Sequence, residues 1–311
     1  MTMAMPTETS LKDRSFLKRY AWLSIAAAVI TLSLKTLAYL VSGSVGLLSD
    51  AVESIVNLIG GVVALIMLTI AARPADQGHP YGHSKAEYFS SIIEGSLIIC
   101  AAIGIGVTAT NRLLFPQPLE QLGLGLVISL GASFVNLAAA LVLRRAGKRY
   151  QSVALTASSQ HLFTDVWTSA GVLAAIGAVA LTGWEPLDPL VALAVGLNIT
   201  WAGFAIVRKS VAGLMDGALP AVAQAELQAV LARFKEQGIH FHSIRTRQAG
   251  ATSFISLDVV VPGSWNVHQG HQFTTQLENE LKLRIPRSIV YTHLESSDDP
   301  ASWDDHGLEK D

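Results

Sequence analysis

The chain has 311 residues, half of them hydrophobic and 15% charged, with a formal net charge of −2 and a mean hydropathy of +0.41. That balance excludes an ordinary soluble globular protein of this length, and near-neutral charge gives nucleic acid no basic surface to bind. A single cysteine, Cys100, excludes an intrachain disulfide and a thiolate zinc centre as the main chemistry.

In chain order, residues 1–18 open with "MTMAMPTETS" and read as a flexible cytoplasmic tail, without the basic-then-apolar layout of a cleaved signal peptide. Six apolar runs follow, at approximately 20–42, 45–72, 90–110, 121–143, 153–181 and 187–208. Each approaches or exceeds the roughly 20 residues a helix needs to cross a bilayer. They define a six-helix transmembrane domain over 19–212, joined by short links.

Lysine and arginine set the expected orientation. Lys12, Arg14, Lys18 and Arg19 precede run one; Arg73 and Lys85 lie between runs two and three. "RRAGKRY" separates runs four and five, and Arg208 and Lys209 end run six. All fall on one side, and the other offers little beyond Arg112. Both termini are therefore expected in the cytoplasm of a multi-pass protein. The short loops and absence of a targeting segment fit a bacterial inner (plasma) membrane.

Residues 213–296 have the composition of a small soluble domain. "AVAQAELQAVLARFKEQG" has helical periodicity, "HFHSIRTRQAG" and "TSFISLDVVVPG" alternate as strands, "NVHQGHQFTTQLENELKLRI" is helical again and "SIVYTHLES" closes as a strand. The order αββαβ predicts a ferredoxin-like, metallochaperone-like α+β layer with its helices on one sheet face. Such a small core gains from association with a second copy. The acidic end, 297–311, reads as a disordered tail.

Ionisable groups inside the apolar runs carry the functional signal. In run five, "SSQHLFTDVWTS" places His161 and Asp165 one helical turn apart on one face. In run two, "SDAVESIVN" does the same with Glu53 and Asn57. Glu53 and His161 each lie about 12 Å into a core about 30 Å thick, from opposite ends, so the two pairs can meet near the midplane. A lone intramembrane His or Asp can serve as a helix–helix hydrogen-bond partner. Two matched pairs at one depth, each charge costing roughly 2.5–3.5 kcal/mol to insert, point instead to a site for a divalent cation, Zn²⁺ first. Asp50 is as well explained by helix packing as by ligation, and Lys35 by snorkelling or as a counter-charge.

The loop after run two, "RPADQGHPYGHSKAEYFS", spaces Asp76, His79 and His83 as D-x-x-H-x-x-x-H around the turn formers Pro80 and Gly82. That pattern suits a second metal site, against the alternative of a solvated loop with incidental histidines. In the soluble domain His293 and Glu295 share a strand face, Asp258 points away from Leu257 and Val259, His242 starts the first strand, and His268 and His271 share a helix face. There a metal site and a plain polar sheet face stand level.

Taken together, "SDAVESIVN", "RPADQGHPYGHSKAE", "SSQHLFTD", "LMDGALP" and the αββαβ end resemble the cation diffusion facilitator family of divalent-metal/proton antiporters, near its bacterial zinc and iron exporters. The resemblance spans most of 20–296. It implies a homodimer in the lipid bilayer that exports a cytosolic divalent metal ion, Zn²⁺ first, in exchange for protons. It implies a transport site at Glu53, Asn57, His161 and Asp165, and a loop zinc site at Asp76, His79 and His83. It further implies a two-metal cytoplasmic site at His242, Asp258, His271, His293 and Glu295, and an inter-protomer charge interlock between Lys85 and Asp216. The family usually has His or Asp, then Asp, where this chain has Glu53 and Asn57. The neutral amide removes one negative charge, which opens the site to Fe²⁺, Co²⁺, Ni²⁺, Mn²⁺ or Cd²⁺. Likewise Asp258 stands where His is common and Glu295 where Asp is.

Other functions fit less well. An intramembrane metallohydrolase would carry H-E-x-x-H, which is absent. A non-transporting membrane metal sensor or scaffold stays open, because sequence does not separate binding from flux.

Overall fold

The computed structural model describes residues 8–42, 45–115, 123–184, 186–236 and 238–303. Within these, the side chains of 8–15, 42, 45–50, 52–53, 56, 123–126, 129, 172–180 and 188 lie outside the description. Two compact units result, Met1–Val211 and Ala212–Asp311.

Six long helices make the first unit: α1 (Glu8–Ser42), α2 (Val45–Ala71), α3 (Ala86–Leu114), α4 (Gly123–Tyr150), α5 (Val153–Thr182) and α6 (Leu187–Leu214). An α-helix satisfies its backbone within one segment, which lipid demands of any spanning element. Among the described residues, Phe16–Val41, Ala86–Leu114 and Pro189–Leu214 are long and apolar enough to cross a membrane unaided, and Asn57–Ala71 is a shorter apolar helix. Burial is distributed as lipid requires. Leu40, Val107, Phe134, Leu197 and Trp201 are exposed, while Ser54, Asn57, Glu94, Asn136, His161 and Asp165 are buried.

The helices overrun the apolar segments. α1 begins at Glu8, inside the stretch expected as a tail, and "RRAGKRY", expected as a link, is the end of α4. Lys148 and Arg149 thus fall in the last turn of α4, where cations suit the helix dipole. Only Gln151 and Ser152 join α4 to α5.

α5 is the shared element. Leu155 and Leu162 pack with Leu17, Leu68 and Leu143 of α1, α2 and α4. Ala157 packs with Ile98, Ala102, Ile199 and Ile206 of α3 and α6. Where α3 meets α6, small residues allow backbone approach. A Cβ on Gly95 would lie 3.1 Å from the Gly203 carbonyl oxygen, and one on Gly203 would lie 2.9 Å from Ile99 Cγ1.

The second unit is αββαβ: α7 (Ala221–Lys235), β1 (His240–Ala249), β2 (Thr252–Val261), α8 (Val267–Arg284) and β3 (Ser288–Ser296), followed by a 3₁₀ turn, Pro300–Trp303. The sheet order is β1-β2-β3. β1 and β2 form an antiparallel hairpin, and β3 pairs parallel to β2 because α8 carries the chain back. Asn266 caps α8 with a reciprocal capping box to Gln269. One sheet face, with Ile255, Leu257 and Val259, buries against Leu231 and Phe234 of α7 and Phe273, Leu277 and Leu281 of α8. The expected placement of both helices on one face follows, and the opposite face is left for Ser256 and Asp258.

The α3–α6 contact yields a test. Gly203→Val places a branched side chain where even Cβ is too close, and should lower the thermal midpoint of the detergent-purified protein by several degrees. Gly104→Ala, where a Cβ would meet nothing within 4 Å, should leave it nearly unchanged. Equal midpoints for the two variants would contradict the close packing.

Candidate metal sites

The interior site is assembled by three helices. Helical spacing puts Ser158, His161 and Asp165 on one face of α5 and Asn57, Gly60 and Gly61 on the facing side of α2. Asn57 Nδ2 donates to Asp165 Oδ2, and Asn136 Nδ2 of α4 donates to the same oxygen at 3.1 Å. Among the described residues, the side-chain oxygens of Asn57 and Asn136 are buried without a hydrogen-bond partner. His161 is 7% exposed. It lines a cavity of about 10 Å³ together with Ser24, Asn57, Gly60, Gly61, Glu94, Ser158 and Leu162. One turn further along, Ser133 Oγ donates to Ser169 Oγ at 2.8 Å, continuing a polar seam between α4 and α5.

Asn57, His161 and Asp165 are therefore brought together. Glu53 lies on α2 one turn before Asn57, but its side chain, like that of Asp50, is outside the described residues. Two groups escaped the sequence reading. Asn136 is an isolated amide well inside run four. Glu94 is a lone acid in run three, 1% exposed, and its Oε1 accepts from Ser158 Oγ at 2.7 Å and more distantly from Ser90 Oγ at 3.4 Å. A single acid inside an apolar run was the available signal.

The loop gathers its three residues by turns. The backbones of Asp76 and His79 exchange hydrogen bonds, Gly82 N–H donates to the His79 carbonyl, and Gly82 takes φ +81, a left-handed value natural to glycine. The His79 amide donates to Asp76 Oδ1 at 2.7 Å. His83 Nε2 lies 3.4 Å from Asp76 Oδ2, and the two imidazole centroids are 4.4 Å apart. His83 Nδ1 is 3.2 Å from the Pro74 carbonyl oxygen. A carbonyl only accepts, so the tautomer with its proton on Nδ1 bonds Pro74 and leaves the Nε2 lone pair for a cation. Asp76, His79 and His83 each place a ligand atom within 4.8 Å of the others.

In the soluble unit strand register makes the third site. Asp258 of β2 pairs with His242 of β1 on one side and His293 of β3 on the other. A bulge follows His242, where Ser243 adopts φ +49. His242 Nε2 is 2.7 Å from Glu295 Oε2, and His242 Nδ1 is 3.8 Å from Asp258 Oδ2. His293 Nε2 lies 3.6 Å from Glu295 Oε1, but its side chain is largely exposed. The tight set is His242, Asp258 and Glu295. His268 and His271 are exposed on α8 and do not join it. Asp216, with φ +56, accepts from Arg247 at 3.1 Å, and Lys85 stands at the N-cap of α3.

Residues 21–215 match the cation efflux transmembrane domain and residues 219–297 the cation efflux protein cytoplasmic domain. An uncharacterized transporter of Synechocystis sp., sll1263, is 52% identical over 287 residues, 91% of this chain and 92% of that one. The cation-efflux pump FieF of Klebsiella pneumoniae is 30% identical over 280 residues (90% and 92%), and FieF of Escherichia coli 29% over 276 residues (88% and 91%). The family is one of membrane cation transporters rather than enzymes. The chain belongs to the cation efflux (cation diffusion facilitator) family, with a helical transmembrane domain and a cytoplasmic C-terminal domain of the family's dimerisation type.

The loop geometry has a pH consequence. The His79 amide bonded to its carboxylate holds Asp76 below the ordinary carboxylate value of 3.8. A depressed acid stabilises the folded loop above the ordinary value, and that contribution is lost as pH falls through the depressed one. A carbon-13 titration of the Asp76 carboxyl should give a midpoint below 3.8 in the metal-free protein. A midpoint at or above it would contradict the amide contact.

Proposed function

We propose that this protein exports a divalent cation from the cytosol in exchange for protons, as a homodimer in the inner membrane. The observation that carries this reading is the buried meeting of Asn57, His161 and Asp165 from α2 and α5. Glu53, one turn from Asn57, completes the proposed transport site. Zn²⁺ is the first candidate, since imidazole and carboxylate donors in a four-ligand set suit it; Asn57 leaves Fe²⁺, Co²⁺, Ni²⁺, Mn²⁺ and Cd²⁺ open. FieF relatives are named cation-efflux pumps, which supports the direction.

The coupling follows from competition for lone pairs. A cation needs neutral His161 and ionised Glu53 and Asp165, so its binding expels protons, and protons from outside release it on the far side. The amides of Asn57 and Asn136 donate to Asp165 and hold its carboxyl in place between α2 and α4. Asp76, His79 and His83 would receive the ion near the cytosolic entrance. His242, Asp258 and Glu295 would hold resident metal, with His293 and His271 as further ligands once two protomers associate. The pairing of Lys85 with Asp216 across the dimer belongs to the same reading.

Proteoliposomes with an imposed pH gradient test it. His161→Ala and Asp165→Ala should each abolish proton-driven Zn²⁺ flux while Asp76→Ala only slows it. Undiminished flux in either interior variant would remove the assignment. Metal binding without any flux in the wild type would favour a sensor or scaffold. Asn57→Asp, which restores a charge, should narrow metal competition toward Zn²⁺; an unaltered preference would show that Asn57 does not set selectivity.

A further inference from the structure

Glu94 is a carboxyl that the reading above leaves without a task. It is 1% exposed, about two turns into α3. Both serines that reach it, Ser158 and Ser90, donate to Oε1. Its other oxygen, Oε2, is buried with no hydrogen-bond partner among the described residues. A carboxylate oxygen left bare inside an apolar bundle costs free energy, and such an orphan calls for a ligand or an ion. Helix packing alone would be served as well by Gln at no charge.

Its surroundings say what the ligand is. Glu94 lines the same small cavity as Asn57 and His161, and the Asn57 Oδ1 is also unpartnered. Gly60 keeps the space between Glu94 and His161 open: a Cβ there would lie 3.8 Å from Glu94 Cγ and 4.0 Å from His161 Nδ1. Two unpartnered oxygens and an imidazole from three helices, around room for roughly one water-sized occupant, form a donor set for a small cation.

We propose that Glu94 is a further ligand for the transported cation, supplying from α3 a carboxylate beside the neutral Asn57. The proposal rests on the interior site being the transport site, and it adds a third helix to the two the paired motifs mark. An added carboxylate makes the donor set richer in oxygen, which favours harder ions such as Mn²⁺ and Fe²⁺ relative to Zn²⁺ than a site built on imidazole would. Glu94 is thus a specificity-determining residue.

The experiment uses the full-length protein with the loop and cytoplasmic ligands disabled by Asp76→Ala and His242→Ala, so that binding reports the interior. Zn²⁺ and Mn²⁺ affinities are measured for the parent, Glu94→Gln, Glu94→Asp, Ser158→Ala and Asp165→Ala. Glu94→Gln should weaken Mn²⁺ binding by about tenfold or more, as the loss of one charged contact implies, and shift the Mn²⁺/Zn²⁺ ratio toward Zn²⁺. Glu94→Asp should recover part of that loss. A merely structural Glu94 predicts that Ser158→Ala reproduces the Glu94→Gln effect with the ratio unmoved, and that outcome overturns the proposal. Parent-like binding in Glu94→Gln, with binding lost in Asp165→Ala, also overturns it but leaves the transport site standing. Parent-like binding in both removes the transport site itself. Should Glu94→Gln not fold, Gly60→Ala fills the same gap at ordinary contact distance. Its parent-like affinity and ratio would count against Glu94, and a weakened, Zn²⁺-shifted profile for it.

Discussion

The Asp165 carboxylate, buried among helices and held by amides from two of them, is the constraint around which the transmembrane unit is arranged. A charge at that depth is tolerated only where donors or a cation meet it. Asn57 and Asn136 supply donors from α2 and α4, and α5 is consequently packed against both apolar clusters of the unit. The same demand explains the inverted surface, with large apolar side chains outside and polar ones within. It also explains why so many small residues line the interior: serines and glycines admit polar groups and close helix approach without adding bulk.

The soluble unit solves a different problem by a different means. Its ligands lie on β-strands, where register rather than helical turn brings side chains together. Asp258 is flanked in register by His242 and His293. The apolar face of the same sheet is sealed by α7 and α8. One face therefore folds the domain while the other is free to carry polar chemistry. The loop site uses neither device and relies on consecutive turns around Asp76 and Gly82.

Much of this could be read from residues alone, and the reasons are physical. Apolar runs mark helices because lipid permits little else, and the αββαβ order shows in the change from helical to alternating period. Paired polar residues one turn apart, His161 with Asp165, announce a shared face. Single ionisable or amide residues do not: Asn136 and Glu94 have only serines, Ser133 and Ser90 among them, at helical spacing, and only tertiary packing shows that they reach α5. His271 is the converse case. The family resemblance sets it with the cytoplasmic ligands, while within one protomer it is exposed on α8, whose buried stripe is Phe273, Leu277 and Leu281, and stands outside the cluster of His242, Asp258 and Glu295. Helix ends were also hidden, since the charged close of α4 continues the helix past its apolar run.

The central claim is that a cation binds inside the membrane unit, between α2 and α5. The most direct measurement is a structure of the full-length protein equilibrated with Cd²⁺ and read by anomalous scattering. The account predicts a peak among Asn57, His161 and Asp165, in addition to any at the loop and on the sheet. Peaks confined to Asp76, His79 and His83 and to His242, Asp258 and Glu295, in protein that still transports Cd²⁺, would contradict it.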